Sequence, residues 1–242
     1  MKSRTRVKIF DALHRSRMQP YLVQTGGNEK DALRLYRWNL ELTAAVHEVL
    51  GVTEVVLRNA MDRELQAWNV KRTGRNGSWL LQEPATPLRG LTAGKRQSAL
   101  NRAQKEAGRR AVDHPRHGVP VSHDDVLAQV MFGMWKDLLP NHHPQASRSS
   151  LDNSNRRLLW DDALKNSFPN EVDPEGEKAY WRVVHIHHLR NRVSHMEPLL
   201  GIDVGDRMRE AFALVRSIDP AVAEWVSGIS RVQDVAGRRP GR

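Results

Sequence analysis

Arg190, Asn191 and His195 lie in one short window of the chain. Between them they carry the parts of a site for phosphodiester chemistry. A guanidinium is planar, stays charged, and matches two phosphate oxygens at once. An imidazole exchanges protons near neutrality. Asn191 precedes His195 by four residues, so on a helix both fall on the same side, where the amide can orient the ring or a phosphate. RNA supplies its own nucleophile, the 2′-OH beside each phosphodiester. A base that takes that proton and a cation that holds the phosphorane are then sufficient without a metal. The products of such chemistry are a 2′,3′-cyclic phosphate and a 5′-hydroxyl, and DNA is spared.

A helix must position these groups. The pattern predicts one from Glu177 to Glu197, stopped by Pro198, since a proline disfavours helix at the preceding residue. At roughly 100° per residue, Ala179, Ile186, Leu189, Val193 and Met196 share an apolar arc. Tyr180, Val183 and Val184 lie on the neighbouring arc. In the last two turns that second arc becomes polar, with Arg190, Asn191, Ser194 and His195. Buried polar groups are costly unless paired, so the change predicts a polar cleft at the edge of the core.

The run Leu189-Arg190-Asn191-Arg192-Val193-Ser194-His195, continued by Glu197-Pro198-Leu199, resembles the signature of HEPN-superfamily ribonucleases, and within them the bacterial Abi-like (abortive infection) branch. Met196 stands where that branch usually has a second His. Trp38-Asn39-Leu40-Glu41-Leu42, Val55 to Ala60 and Val130-Met131-Phe132-Gly133-Met134-Trp135 are similar to further segments of the branch. The resemblance implies an all-α HEPN-like fold and a metal-independent endoribonuclease without cofactor. It assigns Arg190 and His195 the leading roles. It also implies a homodimer in which two copies of the motif face each other across one cleft, and a cognate antitoxin, protein or RNA, is compatible with it.

Composition agrees with an RNA partner. The 242 residues carry a formal net charge of +10 with a sequence pI near 10.4, a balance that attracts polyanions and says nothing of fold. There is no cysteine, so disulfides and thiolate metal sites are out of reach. No apolar run approaches a membrane span, and the basic start Met1-Lys2-Ser3-Arg4-Thr5-Arg6 has no apolar segment after it. The expectation is a cytoplasmic protein with no membrane partner.

The remaining chain reads as helices and loops. Arg4 to Met18 is an amphipathic basic helix stopping before Pro20. Asn28 caps a strongly apolar central helix, Asp31 to Trp68, in which Gly51 either kinks one helix or separates two. On it Arg58 is expected to pair with an acid of a neighbouring helix, and Glu41 is a candidate partner for Arg58 or Arg190. Lys71 to Gly90 is a loop. A peripheral helix from Thr92 to Arg110 has a thin apolar stripe and an outer face with Lys95, Arg96, Arg102 and Lys105. With Arg192, these four are candidate RNA-backbone contacts, weighed evenly against a merely solvated face. Ser122 and Asp125 form a capping box for a helix running to Pro140, Gly133 permitting close approach of another helix. Further helices cover Arg156 to Asn166, Asp206 to Ser217, and a last one with Pro220 at its first position. No strand alternation is present. One all-α domain, 1–228, is expected, with a basic disordered tail, 229–242. His142-His143 and His185/His188 lack the further ligands a zinc site needs, so no metal is assigned. A ribonuclease acting as a toxin or abortive-infection effector in antiviral defence is the leading reading. A non-catalytic RNA-binding or regulatory module of the same fold is the alternative.

Overall fold

The computed structural model describes residues 3–147 and 149–241. Met1, Lys2 and Arg242, the ends of the expected domain and tail, and Arg148 lie outside the described residues. Among those described there is no strand, and the all-α expectation holds. Among the described residues no helix is long and apolar enough to cross a membrane.

The fold is arranged around α3 (Glu29–Thr73), an unbroken helix of 45 residues, about 67 Å long at 1.5 Å per residue. Both ends are set by local chemistry. Asn28 Oδ1 accepts from the amides of Lys30 and Asp31 at 3.0 and 3.2 Å. At the other end Gly74 adopts φ 67°, and Lys71 and Arg72 lie in the last turn. Gly51 is therefore passed without a break. A helical glycine costs about 1 kcal/mol, and the buried Ala45, Val46, Val49, Leu50, Leu57 and Met61 around it outweigh that.

Packed around α3 are α8 (Glu177–Ser194), α9 (Val204–Ile218) and, at its start, α2 (Arg15–Gln24). The expected first helix is divided at His14, whose φ is 65°, into α1 (Ser3–Leu13) and α2, and α2 continues through Pro20. Helix α4 (Leu88–Gly108) starts just after Pro87, four residues earlier than expected. The capping box at Ser122 and Asp125 is present. The helix it starts is short, however: α5 (His123–Ala128) stops, and α6 (Phe132–Leu138) begins afresh after Met131. Helix α7 (Leu151–Asp162) starts at the Ser150 cap, with a 3₁₀ turn at Leu164–Ser167 after it.

The tail corrects an expectation. After α10 (Pro220–Ile229), residues Val232–Gly237 form α11 against α3. Val232 and Val235 are buried, the Trp38 indole donates to Val235 O at 2.7 Å, and the Arg239 guanidinium lies 5.2 Å from the Trp38 ring centroid. Two valines one turn apart and a buried indole that needs an acceptor order the segment despite its Gly- and Arg-rich composition.

Candidate functional site

Helix α8 delivers the motif and then ends inside it. His195 is the C-cap, and Met196 takes the left-handed conformation with φ 54°. Met196 N donates to Val193 O at 3.1 Å and Glu197 N to Arg192 O at 2.8 Å, the paired bonds of a Schellman ending. Glycine usually holds the Met196 position; here Arg192 and Glu197 brace the turn by an ion pair at 3.2 Å. Arg192 also donates to Pro198 O at 2.8 Å, and Arg17 of α2 donates to Met196 O at 2.8 Å. Arg192, expected to meet RNA, thus holds its own helix terminus together.

The three motif groups diverge. Arg190 turns toward α3, where its Nε lies 3.5 Å from Glu54 Oε2, the two side chains being 30% and 21% exposed. An arginine facing a core does meet a carboxylate, but it is Glu54 rather than Glu41. Glu41 pairs with Arg37, one turn away, at 3.1 Å. Arg58 has no acid partner among the described residues and donates to Asn59 Oδ1 at 3.4 Å. His195 is exposed at the helix end. The Asn191 amide lies 3.4 Å from His187 Nε2, so it orients His187 where His195 was expected.

Asn191 and His187 open into a cleft of about 640 Å³ between α8, α6 and α4. Lys95 and Arg102, predicted on sequence as backbone contacts, line the same cleft, while Arg96 and Lys105 do not. Lys95 pairs with Asp137, which Lys136 also contacts. Arg102 donates to Gln129 O at 2.8 Å. Arg96 instead donates to Gln82 O at 2.8 Å, pinning the segment before α4, and Lys105 is exposed with no side-chain partner among the described residues. Burial works to raise the Asp137 carboxyl, but hydrogen bonds from Lys136 and Lys95 and their charges hold it below the usual carboxylate range. Burial, with Lys136 and His188 adding, lowers His187, so its ring is neutral at neutral pH. That ring stacks on Phe132 at 5.6 Å and 12°. Gly133 faces this ring, but a Cβ there would sit 3.6 Å from His187 Nε2, an ordinary contact, so the packing does not require the glycine expected to permit close approach.

His187 and Asp137 were not singled out on sequence. The one available signal for His187 was its position four residues before Asn191, on the same helix face. A second polar chain, equally unforeseen, runs from Ser78 Oγ to His123 Nδ1 (2.7 Å) and from His123 Nε2 to Asp62 Oδ2 (2.9 Å). Its order resembles a nucleophile, base and acid. Ser78 Oγ, however, accepts from the amides of Leu80 and Leu81, both at 3.2 Å, and Asp62 also accepts from the Trp79 indole at 2.8 Å. The chain ties the segment before α4 and the start of α5 to α3. Among the described residues no three His, Asp or Glu side chains come together as a metal site.

Comparison with protein-family models, with curated proteins and with solved structures finds no match.

Proposed function

We propose that the protein acts on RNA as a metal-independent endoribonuclease of the HEPN type. The observation that carries the reading is the meeting of Asn191, from the motif helix, with Lys95 and Arg102, from the basic face of α4, in one cleft. A polyanion held by those cations lies against the helix whose end carries His195. Cleavage then proceeds by attack of a 2′-oxygen on the adjacent phosphorus. The 2′-O–P bond forms, the bond to the 5′-oxygen breaks, one imidazole takes the 2′-OH proton, and a second protonates the leaving oxygen. One chain has one His195, so a homodimer that opposes two α8 ends supplies both imidazoles. Arg190 clamps the phosphorane after exchanging Glu54 for phosphate. A toxin or abortive-infection role in antiviral defence, restrained by a protein or RNA antitoxin, is the biological setting this activity fits.

The Arg190–Glu54 pair and the position of His195 outside the cleft favour a second reading, an RNA-binding module of the same fold without catalysis. Incubation of the pure protein with RNA in chelator, beside an Arg190→Ala/His195→Ala variant, separates the two. The enzyme reading expects 2′,3′-cyclic phosphate ends from the wild type and none from the variant. His195→Ala alone should cost roughly 10²–10⁴ in rate. RNA that is bound but intact in both establishes the second reading.

A further inference from the structure

We infer that the cleft between α4, α6 and α8 holds a single nucleotide, its base against Met131, Met134 and the His187 ring and its phosphate at Lys95 and Arg102. The inference rests on the RNA reading only in taking that nucleotide as a unit of an RNA chain; a free mononucleotide has the same chemistry.

The volume, about 640 Å³, lies in the range of small-molecule sites, which combine apolar walls with a few convergent polar groups. One wall is α4. Gly90, Gly94 and Ser98 follow one another at four-residue spacing and all line the cleft, so they share a helix face. A Cβ at Gly90 or Gly94 would meet nothing within 4 Å. Packing therefore does not require either glycine, and each weakens the helix relative to alanine. Their effect is to leave the helix backbone bare, so that a flat ring can lie directly against it.

The opposite wall is soft and apolar. Met131 is 62% exposed and Met134 is buried behind it, and thioethers adapt to planar rings. His187 is held in place by its stack on Phe132 and by Asn191. Its Nδ1 is shut away from solvent with no partner among the described residues, a cost that marks the ring's position as set by something other than its own hydrogen bonding. The Asn191 amide keeps further donor and acceptor capacity for a base edge. The rim is cationic. Lys95 and Arg102 are seven residues apart, two turns on one face of α4. Asp137, the one carboxylate lining the cleft among the described residues, is shared between Lys95 and Lys136, so the two lysines and Arg102 leave the rim a net positive charge.

A plug tests this without touching the motif. Gly94→Leu fills the cleft at a helical position with open space, and Ser98→Leu repeats the test one turn on, at an exposed residue. The probes are adenosine 5′-monophosphate by calorimetry and a labelled oligoadenylate by fluorescence anisotropy. Circular dichroism and melting confirm the fold of each variant. Wild type should bind, and either folded variant should bind roughly tenfold more weakly or worse. Loss of both probes, or of the oligoadenylate alone, identifies an RNA unit as the occupant; loss of the mononucleotide alone identifies a free nucleotide. If neither probe binds the wild type, or both bind the plugged variants equally well, the inference is overturned, whatever the cleavage assay gives. If plugging removes binding but wild type leaves RNA intact in chelator, the nucleotide site stands and the ribonuclease reading falls.

Discussion

Glu54→Gln is the perturbation that most directly interrogates Arg190. The two side chains meet at 3.5 Å and are 30% and 21% exposed. At an effective dielectric near 20 the bare attraction is roughly 5 kcal/mol. Desolvation and side-chain ordering offset most of it, and partly exposed pairs retain at most about 1 kcal/mol. The amide keeps the shape of Glu54 and removes its charge. Two consequences are expected, and only the second depends on Arg190 addressing phosphate. Unfolding free energy falls by about 0.5–1 kcal/mol, measured by urea denaturation. RNA affinity rises, because the competing carboxylate is gone, by up to about fivefold, measured by anisotropy at low salt. Cleavage in chelator should increase with it. An Arg190→Gln/Glu54→Gln cycle isolates the pair's own coupling. Unchanged RNA affinity in Glu54→Gln, with stability lowered as stated, would refute the clamp and leave Arg190 as a tie between α8 and α3.

Other outcomes test the surrounding structure. Met196→Gly should raise stability by roughly 0.5–1 kcal/mol, seen as a higher melting temperature. It relieves a non-glycine φ of 54° at a side chain 52% exposed, and glycine's extra unfolded-state freedom offsets part of the gain. Trp38→Phe should cost about 0.5–1.5 kcal/mol by removing the indole donor to Val235 O, which keeps the Arg238 amide as its other donor, and hydrogen exchange should report faster opening at 232–237. His123 is raised above its ordinary 6.5 by the hydrogen bond to Asp62, against burial, with the charges of Asp62 and Asp124 adding. A folded value above the unfolded one means this group's stabilisation is complete below about pH 6.5 and is lost as pH rises through the folded value. Melting curves of wild type and His123→Gln should therefore converge as pH rises through that window.

Where local chemistry decides, the residues alone were informative. Asn28 and Ser122 with Asp125 mark helix starts because capping is settled within one turn, and the 3.6-residue rhythm of α3 and α8 follows from burying one face. The polar end of α8 was legible for the same reason, and so was the basic outer face of α4. The chain could not say that Asn191 and Lys95 share a cleft, that Glu54 rather than Glu41 meets Arg190, or that α11 docks on Trp38. Each is a contact between residues far apart in the chain. Many acids could satisfy one arginine, and only the packing of α3, α4, α6 and α8 selects among them. The divergence of Arg190, Asn191 and His195 has the same origin. Spacing fixes their angles around one helix, but what each side chain meets belongs to the helices alongside.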